Sequence, residues 1–441
     1  MTTLTVALSG DCMATRGALI TSDPAAERLR GLLRGADFAF TNLEVVPSDG
    51  RGHPVHNAAG GGGLIADAGV LDEITEAGFS VLGCANNHAL DMGVDGVLGT
   101  LDLLDARRIA YAGIGTDLPA ARRPRYVDRP GGGLALIACS STFLPGQEAA
   151  APSPELPGRP GLNPLRHGAT LAVTGAQMEV LREIDARTGL RARRAEARTL
   201  LGIDPALPSP ERLTLYGARF QVAEEPGLTT VCDRTDLDEI ARWVAEARGR
   251  ADVVLVSVHS HEPGPTPEEP GEFLRAFAHR MVDEGADAVV GHGPHFLRGI
   301  ELYRGRPIFY SLGNIVSQIE LADRVPAEDY ANIGAAPGTV APGRYFAELS
   351  GHGSRLFAPH RRYWRSLVPV LTFDDGTLVG VRLHPVGLGF GEPVHRRGRP
   401  RLAGPAEAEE ILADVARLAE PYGTTVKAGD AGSGELLLDG G

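Results

Sequence analysis

The sequence predicts an α/β fold built on buried sheets. Short apolar runs alternate with amphipathic stretches along much of the 441 residues, the pattern of strands followed by helices. Hydrophobic residues make up 43% of the chain, enough for a substantial core. Several apolar runs end in Gly, Asn, Asp or His, and strand ends are where open α/β sheets bind ligands. We therefore predict an α/β protein with its site along one sheet edge.

The first third of the chain supplies the clearest alternation. Strands are predicted at Leu4–Gly10, Asp37–Asn42, Phe79–Cys84, Ile109–Ala112 and Leu134–Cys139. Helices are predicted at Ala25–Leu33, Val70–Ala77 and Val94–Ala106. The strand segments are short and largely apolar, which is typical of strands that are buried on both faces.

The middle of the chain, from about residue 140 to residue 230, changes in character. Proline and glycine punctuate both ends, and the middle, Thr174–Ala197, is charged and predicted to be helical. We interpret this part as an insertion or lid over the site. The glycine run Gly60–Gly63 predicts a surface linker, with a loop over the site as the alternative.

The alternation resumes after the insertion. Helices are predicted at Leu237–Ala247, Glu272–Glu284 and Ala406–Leu418. Strands are predicted at Asp252–His259, Ala288–Gly291, Ile300–Tyr303, Pro307–Tyr310, Leu367–Phe373 and Thr377–Leu383. We expect residues 1–316 to form the catalytic domain and residues 317–441 to form a C-terminal extension that packs on it. Arg361–Arg365 is predicted to be a solvated edge strand, with a basic aromatic rim for a peptide as the alternative.

Charge and composition exclude several classes of function. The chain has 43 basic and 56 acidic residues and a net charge of −13, so a nucleic-acid partner is not expected. Its one lysine, Lys427, lies in a Gly- and Asp-rich tail, which argues against a P-loop and against pyridoxal phosphate as cofactor. The four cysteines show no CxxC spacing, and no apolar run is long enough to span a bilayer. We expect a cytoplasmic protein with no membrane partner.

Polar residues end five of the predicted strands. They are Asp11; Asn42 and Glu44; Asn87 and His88; His259 and His261; and His292 and His295. Carboxylate and amide oxygens together with imidazole nitrogens are the ligands that divalent cations take from proteins. Because strand ends meet at one edge of a sheet, these residues are predicted to converge on a metal ion.

Six short motifs hold most of these residues. They are Gly10-Asp11, Asn42-Leu43-Glu44, the run from Ala85 to Asp91, Val258-His259, Gly291-His292-Gly293-Pro294-His295 and the run from Tyr310 to Asn314. In this order they resemble the motifs of the CapA family, which is named for poly-γ-glutamate capsule synthesis and belongs to the calcineurin-like metallophosphoesterase superfamily. The resemblance implies a four-layer αββα sandwich with a metal site along one edge.

Two departures from the superfamily pattern bear on the metal. Asp11 is not followed by the usual Asp-x-His histidine, and Asn42-Leu43-Glu44 stands where a Gly-Asp motif normally provides the bridging carboxylate. A two-metal centre needs a separate ligand set for each ion, so we expect a single divalent ion. Ca²⁺, Mn²⁺ or Mg²⁺ is favoured, and Zn²⁺ remains an alternative. The expected ligands are Glu44, Asn87, His259 and His292.

The remaining polar residues suggest acid–base chemistry. We expect His88 to be oriented by Asp91 and His295 by Asp11, which gives one His/Asp pair on each side of a substrate. Such a layout removes a proton from one face of a carbon and returns it to the other face. Asn42, His261 and Arg298 are expected to contact the substrate.

Within the CapA family, the chain is similar to the lasso-peptide epimerases, which invert the Cα of the C-terminal residue of a precursor peptide. The resemblance implies a precursor peptide as substrate, and the single lysine agrees with inversion that does not use pyridoxal phosphate. Two alternatives stay open. One is a CapA-type metallohydrolase of phosphoester or γ-glutamyl bonds, and the other is a non-catalytic protein of capsule or polymer assembly.

Overall fold

The computed structural model describes residues 3–55, 63–202 and 209–438. The predicted linker at Gly60–Gly63 lies outside these residues except for Gly63, as do residues 203–208 of the predicted insertion. The described chain is mixed α/β, which confirms the predicted fold class.

The strands and helices follow the predicted alternation closely. The strands are β1 Thr3–Met13, β2 Phe38–Leu43, β3 Val46–Ser48, β4 Ile65–Asp67, β5 Val81–Gly83, β6 Ala110–Ala112, β7 Ile114–Gly115, β8 Arg125–Arg129, β9 Gly132–Ser140, β10 Gly161–Leu162, β11 His167–Val173, β12 Arg212–Leu215, β13 Ala218–Val222, β14 Gly227–Cys232, β15 Val253–His259, β16 Ala288–His292, β17 Ile300–Tyr303, β18 Arg306–Phe309, β19 Asn314–Ser317, β20 Arg365–Asp374, β21 Thr377–Gly387, β22 Arg401–Leu402, β23 Val426–Ala428 and β24 Gly434–Leu436. The helices are α1 Pro24–Gly35, α2 Val70–Ala77, α3 Gly93–Ala106, α4 Leu118–Arg122, α5 Gly175–Arg187, α6 Leu190–Leu201, α7 Arg234–Arg248, α8 Glu272–Asp283, α9 Pro342–Leu349 and α10 Pro405–Ala419.

Two sheets form the body of the protein. The first has the order β23-β24-β21-β20-β1-β2-β5-β6, with β19 paired to the end of β1 and β22 paired to β21. The second has the order β17-β18-β16-β15-β9-β8. Strands β5 and β6 contact β9, and β1 contacts β16, so the two sheets pack face to face.

Alternation along β9 shows how the layers are arranged. Ala135, Ile137 and Cys139 pack in a core with apolar residues of α7 and α8. Leu134, Leu136 and Ala138 belong instead to the core that the second sheet shares with the first sheet. Because alternate side chains of a strand point to opposite faces, the second sheet lies between helices and the first sheet. Helices α1 to α3 contribute to the core on the other side, which completes a four-layer αββα sandwich.

The insertion has more structure than the sequence predicts. Its predicted helical middle is two helices, α5 and α6, separated at Gly189, whose φ of 70° is left-handed. Thr174 begins α5 with a capping box to Gln177. The insertion also holds a separate four-stranded sheet in the order β12-β13-β11-β14, which the sequence analysis does not predict. These strands are mostly half-exposed or exposed, so their apolar alternation is weak.

The C-terminal residues enter the first sheet directly. Strand β20 pairs antiparallel with the first half of β1, while β19 pairs parallel with its second half. The predicted edge strand at Arg361–Arg365 is wrong. Arg361–Trp364 is a short 3-10 turn with Trp364 buried, and β20, which begins at Arg365, lies between β1 and β21.

Between β19 and β20 the chain forms a small unit that we call the cap, residues 319–358. It contains α9 and has an apolar core of its own, centred on Tyr330, Tyr345 and Phe346. Three ion pairs between described residues join it to other parts of the chain, Glu320 with Arg397, Arg324 with Asp67 and Asp323 with Arg16. Within the described ranges, no helix is both long and apolar enough to cross a membrane.

Candidate metal and acid–base site

Strand register gathers the predicted polar residues at one edge of the sandwich. In the first sheet, Asp11 pairs with Asn42 of β2 and with Asn314 of β19. In the second sheet, His259 at the end of β15 pairs with His292 at the end of β16. Since the sheets pack face to face, these two rows meet, and the resulting cluster is almost wholly buried.

Glycines allow the strand ends to approach this closely. A Cβ at Gly10 would lie 1.8 Å from the carbonyl oxygen of Gly313, which accepts the Asp11 N–H at 3.0 Å. Gly293, with φ of 118°, leads into His295, whose own φ of 67° is left-handed. A positive φ at a residue other than glycine costs free energy, and strained residues of this kind are enriched at functional sites. His295 is such a residue.

One potential ligand group joins the two sheets. The Asp11 Oδ1 atom lies 3.3 Å from His292 Nδ1 and 3.6 Å from His259 Nδ1. The two Nδ1 atoms are 3.0 Å apart. His292 Nε2 is hydrogen bonded to Ser257 Oγ at 2.8 Å, and a partner at one ring nitrogen orients the other towards a metal. These three side chains have the residue types and spacing needed to hold a metal ion.

A second group lies beside the first and contains Glu44, His261 and His295. The Glu44 carboxylate is fully buried, and neither of its oxygens has a hydrogen-bond partner among the described residues. Leaving a buried carboxylate without donors is costly unless a cation compensates it. The donor set and this carboxylate together fit a divalent ion at the cluster.

Burial controls the protonation of the cluster. It lowers the pKa of His259 to about 4, and it lowers the pKa values of His261 and His295 as well. Burial, followed by the charge of Asp11, raises the pKa of Glu44 well above its usual value. For Asp11, the hydrogen bonds and charges of His259 and His292 outweigh burial and keep its pKa low. The lowered pKa values of His259, His261, His295 and Asp11 all favour the deprotonated forms that bind a metal.

The two histidines predicted for acid–base chemistry, His88 and His295, lie at the border of the cluster. His88 Nδ1 is 2.7 Å from Asp91 Oδ2, which also accepts the main-chain N–H of Leu64 at 2.7 Å. His295 Nδ1 is 2.9 Å from Asn314 Oδ1 and 3.6 Å from Asp11 Oδ2. Asn314, rather than Asp11, is therefore the nearest orienting group for His295.

A cavity of about 400 Å³ opens beside these histidines. Asn87, His88, His261 and His295 line it, and much of the rest of its wall comes from the cap. Asn87 Oδ1 also lies 2.7 Å from His259 Nε2, at the border between the cavity and the cluster. The cap wall is not evident in the sequence because residues 317–360 show no clear helical or strand period. The apolar density of Tyr345, Phe346 and Leu349 was the available signal.

Two predicted substrate contacts are located elsewhere. Asn42 is fully buried and donates from Nδ2 to Asp11 Oδ1 at 2.8 Å, so it orients a carboxylate and does not line the cavity. Arg298 is also buried, and its guanidinium donates to the main-chain oxygens of Pro267 and Glu262. Burial lowers the pKa of Arg298 to about 10. Its guanidinium stabilises a loop and does not line the cavity. The prediction that Arg298 contacts the substrate is therefore corrected.

Comparison with known proteins agrees with this architecture. Residues 5–319 match the family model described as bacterial capsule synthesis protein PGA_cap. The chain belongs to this family. The match, which is the CapA-type family that the motifs resemble, covers both sheet edges of the site and ends where the cap begins.

Several relatives of this PGA_cap protein span different shares of it. The uncharacterized protein y4uA of Sinorhizobium fredii is 34% identical over 442 residues, covering 96% of this chain and 90% of its own length. The capsule biosynthesis protein CapA of Bacillus anthracis is 25% identical over 256 residues, 57% of this chain and 44% of its own. The PGA biosynthesis protein CapA of Bacillus subtilis is 47% identical over 73 residues, 17% of this chain and 19% of its own.

Proposed function

We propose that this protein is a metal-dependent epimerase that works without pyridoxal phosphate and inverts the Cα of a residue, the C-terminal one, of a ribosomal precursor peptide. One observation carries the proposal. His88 and His295 line the same cavity, and the Nδ1 atom of each is held by its own acceptor, Asp91 at 2.7 Å and Asn314 at 2.9 Å.

This arrangement suits the transfer of two protons. When Nδ1 donates to an acceptor, the lone pair of a neutral imidazole is on Nε2, which can then take a proton from a substrate. One histidine would remove the Cα proton from one face, and the other, in its protonated form, would return a proton to the opposite face. The two steps balance, since one proton leaves the carbon and one arrives.

A divalent ion at the cluster would hold a carbonyl or carboxylate oxygen of the substrate and stabilise the negative charge that develops there. Asp11, His259 and His292 form the group that would hold it, with Glu44, His261 and Asn87 next to them. We favour Mn²⁺, Ca²⁺ or Mg²⁺ because three kinds of oxygen ligand, from Asp, Glu and Asn, surround the imidazoles.

The composition of the cavity supports a peptide residue with a neutral side chain. Its walls are largely apolar, with Leu64, Tyr345, Phe346, Leu349, Phe357 and Trp364 among them. Among the described residues that line it, none is arginine or lysine, and Glu320, the one carboxylate, is paired with Arg397. A phosphate or a γ-glutamyl chain would instead favour a basic wall.

The proposal is tested by incubating the purified protein, loaded in turn with Mn²⁺, Ca²⁺ or Mg²⁺, with synthetic peptides in D₂O. Peptides that end in L-phenylalanine, L-leucine and L-glutamate are compared by mass spectrometry and chiral amino-acid analysis. We expect one deuterium at the Cα and inversion of the terminal residue, with the apolar termini preferred. Cleavage of the peptide without exchange at the Cα would contradict the proposal.

A metallohydrolase is the second candidate, and the presence of two ligand groups favours it. Asp11, His259 and His292 form one group and Glu44, His261 and His295 form the other, so two ions would have separate ligands. Two-metal centres activate water for hydrolysis. Elemental analysis that gives two metal equivalents, together with release of phosphate from a phosphoester, would favour this function over epimerisation.

A further inference from the structure

Phe357 is the residue of the cap whose ring packs against a candidate acid–base group. Its ring centroid lies 5.1 Å from that of His295, with the planes inclined at 50°. Phe357 also lines the cavity beside the site. A single side chain therefore touches both the proposed base and the space in which the substrate would lie.

Contacts with neighbouring aromatic residues hold Phe357 in place. It stacks on Tyr363 with centroids 4.3 Å apart and an angle of 21° between the planes. Its main-chain oxygen accepts a hydrogen bond from Trp364 Nε1 at 3.0 Å. Tyr363 is packed in turn against Phe296, with Arg362 over both rings. Stacked aromatic side chains of this kind have few alternative rotamers.

His295 needs such a contact to define its orientation. The hydrogen bond to Asn314 Oδ1 holds Nδ1, but a single bond of this kind leaves the ring free to rotate about it. The ring of His261 stands edge-on to His295, with centroids 5.2 Å apart. Phe357 and His261 together restrict the plane of the imidazole, and that plane determines where Nε2 points.

We infer that Phe357 is a positioning residue for His295 and that the cap selects substrates through it. This inference rests on the proposed epimerase function and extends it to specificity. An apolar group in the cavity would pack against the same ring that orients the base. Discrimination between apolar and polar substrates would then appear in kcat as well as in KM, because the contact aligns the base for the proton-transfer step.

The kinetic test compares two variants of the cavity wall. Phe357→Leu keeps an apolar side chain but removes the stack on Tyr363, and Leu349→Ala changes another cap residue that lines the cavity. With a peptide that ends in L-phenylalanine, we expect Phe357→Leu to lower kcat by at least about tenfold with little change in KM. We expect Leu349→Ala to raise KM and leave kcat nearly unchanged. Equal effects of the two variants on KM alone would overturn the inference.

A spectroscopic measurement separates this inference from the proposed function. Isotope-labelled histidine rings are observed by NMR in the metal-free full-length protein, and the His295 signal is assigned by its loss in His295→Asn. Phe357→Leu should shift that signal, while Leu349→Ala should leave it in place. An unshifted signal in Phe357→Leu would overturn the positioning role even if the protein epimerises peptides. A shifted signal without epimerisation would place the failure in the proposed function.

Discussion

The polar cluster and the cap meet at one cavity, yet they are built in opposite ways. The cluster consists of polar side chains at strand ends, where strand register determines which residues meet. The cap consists of apolar side chains around a small core, in a segment with one α-helix. On the proposed function this difference is a division of labour, in which the sheets would supply the acid–base and metal-binding groups and the cap would select the substrate.

The largest expected effect tests the cluster side. Glu44→Gln removes a buried carboxylate that has no hydrogen-bond partner in the described part of the chain, so the cluster loses a negative charge that would bind a cation on the proposed function. We expect metal affinity to fall by at least about a hundredfold. The metal-free variant should be as stable as the metal-free wild type or more stable, because burying the Glu44 carboxyl group without a hydrogen-bond partner among the described residues is costly. Elemental analysis and thermal unfolding, with and without chelator, measure both effects.

Glu301→Gln is the matched control for that prediction. Glu301 is also buried, but it accepts a hydrogen bond from Tyr310 and pairs with Arg275 and His279. We expect this variant to lose stability and to keep its metal. Metal binding by Glu44→Gln with the wild-type affinity would show that the Glu44 carboxylate does not contribute to metal binding.

The second prediction tests the cap side. Leu349→Trp places a larger side chain in the wall of the cavity. We expect KM to rise by about tenfold for a peptide that ends in phenylalanine, by loss of apolar contact area. A peptide that ends in alanine should be affected much less, and metal content should not change. A loss of metal in this variant would contradict the proposal that the cap affects substrate binding without affecting the metal-binding residues.

The smallest expected effect concerns how the cap is attached. The Arg397 guanidinium contacts Glu320 through two nitrogens, with an Nε–Oε2 distance of 2.6 Å, and lies over the Trp364 ring. Arg397→Ala should cost about 1 kcal/mol of unfolding free energy and increase proteolysis within the cap. Arg417→Ala, which removes an exposed pair with Glu268, is the control. Equal proteolysis in the two variants would contradict a role of Arg397 in holding the cap.

The cluster could be predicted from the sequence because it depends on local patterns. Asp11, His259 and His292 each follow a short apolar run, and parallel strands bring such positions together whatever the details of packing. The His88–Asp91 contact follows from a separation of three residues in one turn. Strand period and spacing therefore account for most of the residues that meet at this edge.

The rest depends on tertiary packing that no local pattern records. Arg298 follows His295 closely in sequence, but its side chain turns towards the carbonyl groups of a neighbouring loop. The cap has neither strand alternation nor a long amphipathic helix, so its apolar residues gave no periodic signal. The strands of the insertion sheet are partly exposed, and Gly189 divides what reads as one helix.

The division of labour is tested most directly by measuring metal content and isotope exchange together in His295→Asn and His88→Ala. We predict that both variants keep metal near the wild-type content and lose deuterium exchange at the Cα by at least about a hundredfold. His295 also lies close enough to Glu44 and His261 to bind a metal ion with them, so a loss of metal in His295→Asn is the alternative result. If His295→Asn loses the metal, His295 is a ligand, and the account of two acid–base histidines beside a separate metal cluster is wrong.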